Sequence, residues 1–99
     1  MFEGARMFRD LGIEIAEYIA RHVDRYVDVD LLDVLDYEVA SKAYQEQLID
    51  YSTFKYGTGD ETYDYFYEAK RTFLPMLRNL LPDGYDLVVS DGEARIVRR

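Results

Sequence analysis

The sequence predicts an α+β fold in which three to four helices precede a C-terminal antiparallel β-hairpin, so that the chain is mainly α-helical. Apolar residues recur at steps of three and four along most of the chain, as on one face of a helix. Near the C-terminus, an Asp-Gly pair separates two apolar runs of alternating pattern. A chain of 99 residues has room for one hydrophobic core, so we expect a single domain over 1–99.

The first helix is predicted over about residues 4–26. At about 1.5 Å per residue it would extend roughly 34 Å, which is long for so short a chain. A long helix with a continuous apolar stripe favours packing shared between two copies, so we expect a homodimer. The stripe consists of Phe8, Leu11, Ile15, Tyr18, Ile19, His22, Val23 and Tyr26.

The alternation of Val27, Val29 and Leu31 with acidic residues indicates a short strand near 26–31, or else an extended connector. Asp30 is suited to cap a second helix over about 31–51, because its carboxylate can accept a hydrogen bond from the first turn. The apolar positions of this helix are Leu32, Leu35, Val39, Ala43, Leu48 and Tyr51, with Tyr44 nearby.

Thr58 and Glu61 have the spacing of a capping box, which predicts that a third helix starts there. Pro75 predicts a kink in this helix, or a new short helix that ends before Pro82. The residues predicted to face inward are Tyr63, Phe66, Tyr67, Phe73, Leu74 and Leu77.

The hairpin is predicted from strands at about 85–90 and 93–98, joined by a turn at Asp91-Gly92. Folding at this turn places Leu87 opposite Ile96, on a mostly apolar face. A lone hairpin leaves strand edges open, and these edges invite pairing. Either the 26–31 segment or a second copy of the chain would cover one of them.

The formal net charge is −8, and residues 24–64 (the acidic segment) account for all of it, with 11 acidic and three basic side chains. This segment favours a basic protein partner and opposes binding to nucleic-acid phosphates. The absence of cysteine excludes disulfides and thiolate catalysis. No apolar run approaches the ~20 residues of a membrane span, and residues 1–6 lack a signal-peptide pattern, so we expect an intracellular location.

Four aspartates at the start of the second helix are candidate partner-binding residues. A metal-dependent site is the alternative interpretation, but the glycine and closing glutamate of an EF-hand loop are missing, and the acids also suit the start of a helix. The four are Asp28, Asp30, Asp33 and Asp36.

Aromatic residues are dense at Tyr63-Asp64-Tyr65-Phe66-Tyr67, and not all of these rings can face one side of a helix. Because tyrosine is favoured at interfaces, we identify Tyr63, Tyr65 and Tyr67 as further candidate partner-binding residues, with core packing as the alternative.

Arg95, Arg98 and Arg99 form a small basic cluster at the C-terminus. Such a cluster can contact a few phosphates, which leaves open a weak nucleic-acid binder. The acidic remainder of the chain opposes this, so we expect these arginines to pair with carboxylates in the same fold or across a dimer.

No catalytic arrangement is recognisable. His22 is the only histidine and lies in or beside the apolar stripe, and Gly57-Thr58-Gly59 lacks the lysine and glycine spacing of a P-loop. We therefore expect neither enzymatic activity nor a cofactor.

The tyrosine-rich run at residues 63–67, the preference for arginine over lysine and the cysteine-free short chain resemble the small uncharacterised proteins of filamentous viruses that infect hyperthermophilic archaea. This resemblance implies a thermostable, often dimeric protein without an assigned activity, acting in the host cell or the virion. The expected function is a non-enzymatic, acidic protein-interaction module. The alternative is an acidic mimic of nucleic acid that inhibits a basic host protein.

Overall fold

The computed structural model describes residues 3–56 and 63–99, and over these residues the predicted α+β class is confirmed. Four α-helices precede a two-stranded antiparallel sheet. The elements are α1 (Glu3–Arg21), α2 (Leu31–Gln45), α3 (Tyr51–Tyr56), α4 (Tyr63–Leu80), β1 (Tyr85–Ser90) and β2 (Glu93–Arg98).

Packing between α1 and α4 forms the centre of the fold. Both helices carry a buried apolar stripe, and these two stripes meet. Gly12 lies where the helices approach most closely: a Cβ atom there would overlap the backbone carbonyl oxygen of Ala69 and the hydroxyl of Thr72. The residues buried at this contact include Phe8, Ala16 and Ile19 of α1 and Ala69, Phe73 and Leu77 of α4.

Polar side chains of α1 and α4 form a hydrogen bond and an ion pair beside this crossing. The Thr72 hydroxyl donates a hydrogen bond to the backbone oxygen of Arg9, at 2.6 Å. The Arg9 guanidinium lies 2.5 Å from the Glu68 carboxylate. The hydrogen bond from Arg9, together with the positive charges of Arg9 and Arg71, holds the pKa of Glu68 below its ordinary value.

The connector from α1 to α2 differs from the prediction. The first helix ends at Arg21 rather than near residue 26, and a single 3-10 turn follows at Val23–Arg25. Asp28 then adopts a left-handed conformation, with φ of 63°, which interrupts the extended run predicted near 26–31. Only Val27 pairs with the sheet, as one parallel bridge to Ile96.

The start of α2 is as predicted, but its end is not. The Asp30 carboxylate accepts a hydrogen bond from the Leu32 amide, at 3.2 Å. The helix stops at Gln45 because Gln47 turns left-handed, with φ of 61°, and the Leu48 amide donates back to the Ala43 carbonyl. Leu48 and Tyr51, predicted as core positions of α2, are therefore exposed.

A short helix that the sequence did not predict, α3, follows this turn. The Asp50 carboxylate caps it by accepting a hydrogen bond from the Thr53 amide, at 2.8 Å. The predicted capping box at Thr58 and Glu61 lies outside the described residues. Helix α4 continues through Pro75 to Leu80, so a separate helix after Pro75 is wrong. Pro75 is exposed, where water can satisfy the carbonyl that loses its amide partner.

The hairpin has the predicted strands and register. Leu87 pairs with Ile96 and Val89 with Ala94 across an Asp91-Gly92 turn in which both residues have positive φ. Leu87, Ala94 and Ile96 are buried, and the hairpin packs on α2 and α4.

Gly12→Ala tests the close helix crossing, and we expect a loss of about 1–3 kcal/mol in the free energy of unfolding. Helix propensity alone predicts the opposite, a gain of up to about 1 kcal/mol. Urea denaturation followed by circular dichroism measures the difference. Glu17→Ala, at an exposed site on α1, is the control and should change stability by less than about 0.5 kcal/mol. A Gly12→Ala variant as stable as the parent would contradict the crossing.

Candidate functional site

The four candidate aspartates divide into two pairs with different surroundings. Asp28 lies in the connector, where its amide donates to the Ile96 carbonyl at 2.9 Å and its own carbonyl accepts from Arg95. Asp30 caps α2. Asp28 acts here through its backbone and Asp30 through its carboxylate, whereas Asp33 and Asp36 lie exposed on α2. None of the four carboxylates forms an ion pair within residues 3–56 and 63–99.

Asp33 and Asp36 interact electrostatically. Partial burial raises the pKa of Asp36 above its ordinary value, and the negative charge of Asp33 adds to the effect. A cation placed beside this pair would relieve the repulsion. Over the part of the chain that the structure describes, no group of three histidine, aspartate or glutamate side chains converges in a way that could hold a metal ion.

Exposed aromatic rings lie on the same side of α2 as Asp33 and extend onto α3. Phe54 stacks on Tyr44 with 5.2 Å between ring centroids and lies 6.1 Å from the Tyr37 ring, while Tyr44 and Tyr51 are 5.9 Å apart. The exposed fractions of Tyr37 and Tyr51 are 63% and 55%. We call this surface the acidic–aromatic face; it comprises Asp33, Asp36, Tyr37, Tyr44, Tyr51 and Phe54.

One ring of this face, that of Tyr51, already lies near a cation of the same chain, as does the neighbouring Tyr56 ring. The Lys55 ammonium nitrogen lies 5.8 Å from the Tyr51 ring centroid and 5.5 Å from that of Tyr56. Both distances are within the range of a cation–π contact. The Tyr51 ring, which is 55% exposed, therefore interacts with a cation while part of its surface stays accessible.

A cleft of about 610 Å³ opens at one end of the acidic–aromatic face, between the end of α2 and the start of α3. Its wall includes Tyr44, Leu48 and Asp50. The hydrogen bond from the Thr53 amide holds the pKa of Asp50 below its ordinary value, so this carboxylate is ionised at neutral pH. The cleft thus combines an aromatic ring, an apolar side chain and a negative charge.

The predicted orientation of the tyrosine run on α4 is wrong. Tyr65, expected to point away from the core, is half-buried and stacks on Phe8 with 4.7 Å between centroids. Tyr63 and Tyr67, expected to face inward, are 60% and 49% exposed and lie 6.4 Å apart. The reason is that α1 meets α4 along Tyr65, Ala69 and Phe73, a spacing of four that excludes the other two tyrosines.

The arginines of the basic cluster all have acidic or carbonyl partners in the same chain. Arg98 lies 3.6 Å from Asp24 and Arg99 lies 3.6 Å from Asp86. Arg95 is near Glu93 and donates to the backbone oxygen of Asp28. These pairs are exposed and individually weak, but they reduce the positive charge that this end of the molecule offers to a phosphate.

The acidic–aromatic face was only partly predictable. Charge singles out the aspartates, whereas Tyr37 and Phe54 are not among the predicted site residues, and the apolar spacing predicts Tyr51 in the core with Tyr44 nearby. The available signal is the spacing of seven between Tyr37 and Tyr44, which places both rings on one side of a helix. His22, the sole histidine, contacts the Tyr18 ring at 4.6 Å.

No protein-family model, curated protein or solved structure matches this chain. In the described ranges, none of the helices combines the length and apolar character required to cross a membrane.

Asp36→Asn should raise the melting temperature at pH 7, because it removes a carboxylate whose ionisation the folded state disfavours. When folding raises a carboxyl pKa, stability increases as the pH falls through the folded-state value and stops increasing below the unfolded value. The advantage of Asp36→Asn should therefore vanish below about pH 3.9. Thermal melts from pH 3 to pH 8 measure this dependence.

Asp50→Asn is the control of opposite sign for the same melts. Folding lowers the pKa of Asp50, so its ionised form adds stability above the unfolded pKa, and this contribution is lost as the pH falls through the folded-state value. Asp50→Asn should lower the melting temperature at pH 7. A stability gain from Asp36→Asn that does not change with pH would contradict the electrostatic explanation.

Proposed function

We propose that this chain is a non-enzymatic, acidic protein-interaction module that acts as a homodimer and binds a basic segment of another protein through the acidic–aromatic face. The observation that carries the proposal is that exposed tyrosine rings on α2 and α3 share a surface with Asp33 and Asp36, which form no ion pair within the described residues. The viral origin that the resemblance implies stays a prediction; in that setting, the partner is a basic host protein.

Arginine is the side chain that this surface suits best. A guanidinium group stacks on aromatic faces and also forms paired hydrogen bonds with carboxylates. Asp33 and Asp36 supply the carboxylates, and Tyr37 and Tyr51 supply rings that are more than half exposed. A phosphate backbone would meet repulsion from the acidic segment, which disfavours direct binding to nucleic acid.

Mimicry of nucleic acid is the second candidate function, and the segregated negative charge favours it. The acidic segment carries the whole net charge of −8. A mimic would attract its partner through charge alone, whereas the proposed module also needs the rings. Substitution of the tyrosines therefore separates the two functions.

Tyr37→Ala combined with Tyr51→Ala should weaken the binding of a fluorescein-labelled octa-arginine peptide by about tenfold, because the ring faces that stack on guanidinium are lost. Fluorescence anisotropy at low salt measures the dissociation constant. The matched control is Tyr63→Ala with Tyr67→Ala, which removes two tyrosines of similar exposure from α4 and should change binding by less than about twofold.

Asp33→Asn combined with Asp36→Asn should also weaken peptide binding. The dissociation constant of this double variant should change less with salt concentration than that of the parent, because two charges are removed. If the aspartate substitutions abolish binding while the Tyr37 and Tyr51 substitutions leave it unchanged, mimicry by charge replaces the proposed module. If neither pair alters binding, the acidic–aromatic face is not the binding surface.

The outer edge of β1 is the surface that suits a homodimer. Val27 occupies one point on the edge of β2, whereas β1 has no strand partner on its other side within the described residues. Four consecutive residues at the end of β1, from Leu87 to Ser90, carry no charge, whereas Asp86 in the same strand pairs with Arg99. The exposed fractions of Val88 and Val89 are 48% and 42%. Uncharged stretches of strand edge without proline pair readily, and two copies of β1 could pair around a two-fold axis along Leu87 to Ser90.

Val88→Lys should convert the dimer to a monomer, because a lysine on each copy would be desolvated and repelled at the shared edge. Size-exclusion chromatography with light scattering measures the mass. Leu80→Lys places the same charge at an exposed apolar site outside the hairpin and should leave the dimer intact. A parent protein that is monomeric at all concentrations, or a Val88→Lys variant that still dimerises, would contradict pairing at this edge.

A further inference from the structure

A groove of about 350 Å³ lies between α1 and α2, outside the acidic–aromatic face. Its floor is aliphatic and consists of Leu11, Ile15 and Ile19 from α1 and Val34 from α2. The volume falls within the range of pockets that bind small ligands or single side chains. The groove exists because α1 packs much more extensively on α4 than on α2.

Carboxylates stand on both helices that form the groove: Glu14 on α1 and Glu38 on α2. Both side chains are exposed, and neither forms an ion pair with another residue in 3–56 or 63–99. None of the described residues that line the groove is basic. A ligand that enters it therefore meets two negative charges that the described part of the chain leaves unpaired.

Two aromatic rings complete the lining of the groove. Tyr18 and Tyr26 meet edge to face, with 6.4 Å between their centroids and an angle of 78° between their planes. Tyr18 is 45% exposed. Rings of this kind attract a cation to their faces and also offer an apolar surface to a methylene chain.

The aliphatic floor, the two rings and the two carboxylates of the groove together favour one class of ligand. A bare metal ion would leave the aliphatic floor unused, and a neutral apolar ligand would remove water from carboxylates without replacing it. A second copy of this chain would bring further negative charge, since the net charge is −8. A ligand that has both a methylene chain and a positive end satisfies the floor, the rings and the carboxylates together.

We propose that the α1–α2 groove binds a lysine side chain of a basic partner protein. Its methylene stem would pack on Leu11, Ile15 and Val34, while its ammonium group would lie near Glu14 and Glu38. Lysine fits better than arginine because its flexible four-carbon stem ends in a compact charge, whereas a planar guanidinium suits the open rings of the acidic–aromatic face. This inference rests on the proposed function in that the partner is a basic protein.

The test is a titration of the isotope-labelled protein with Nα-acetyl-lysine methylamide, followed by two-dimensional NMR. We expect saturable shifts at the amides of residues that line the groove. Nα-acetyl-norleucine methylamide has the same stem without the ammonium group, and it should bind about tenfold more weakly. Equal binding of the two compounds, or no saturable shift with the lysine compound, would overturn the proposal.

Glu14→Gln with Glu38→Gln should weaken binding of the lysine compound by about tenfold, since both charges at the rim are removed. Glu17→Gln, an exposed site on α1 outside the groove, is the matched control and should have no effect. A double variant that binds the lysine compound as well as the parent would also overturn the proposal.

Failure here is distinguishable from failure of the proposed function. Binding of octa-arginine should respond to substitutions of Tyr37 and Tyr51 and not to Tyr18→Leu in the groove. Conversely, Tyr18→Leu should weaken binding of the lysine compound severalfold, because one ring face is lost.

Discussion

The close crossing of α1 and α4 at Gly12 is the constraint on which the rest of the structure depends. Because no Cβ atom intervenes, the backbone of α4 reaches α1, and the two longest helices bury their stripes against each other. The contacts of Arg9 with Thr72 and Glu68 hold the same pair beside the crossing. Helix α2 then covers one remaining side of the core, and its contact with α1 is slight. An open groove between α1 and α2 is the direct consequence.

Helix α2 therefore contributes both to the core and to two exposed surfaces. Its buried side, including Leu35, Val39 and Ala43, completes the core beneath the hairpin. Its exposed sides carry residues that do not pack in the core: Glu38 lines the groove, and Tyr37 belongs to the acidic–aromatic face. Two surfaces with separate chemistry thus lie on one short helix. A single partner with arginine and lysine residues on a basic segment could contact both.

Features that depend on neighbouring residues were predictable from the sequence. The Asp91-Gly92 turn dictates the hairpin register, and the Asp30 carboxylate marks the start of α2. Features without a local signal were not. Gln47 ends α2 in a left-handed conformation that glycine or asparagine usually occupies. The inward position of Tyr65 depends on which side of α4 meets α1, and that choice follows from Gly12, far away in the sequence.

The acidic segment predicts only part of the candidate site, because the sequence does not show which of its acidic side chains have partners in the folded chain. Some of its acids have structural partners: Asp30 caps a helix, Asp50 caps another, and Asp24 contacts Arg98 and Tyr85 of the hairpin. Three of the nine arginines lie in and after the hairpin, where such pairs occupy them. Asp33 and Asp36 form no such pair within the described residues; partial burial, and then the charge of Asp33, raises the pKa of Asp36. Two carboxylates without an ion pair among the described residues therefore lie on α2, the helix that also carries the Tyr37 and Tyr44 rings, and a basic partner would relieve the electrostatic cost there.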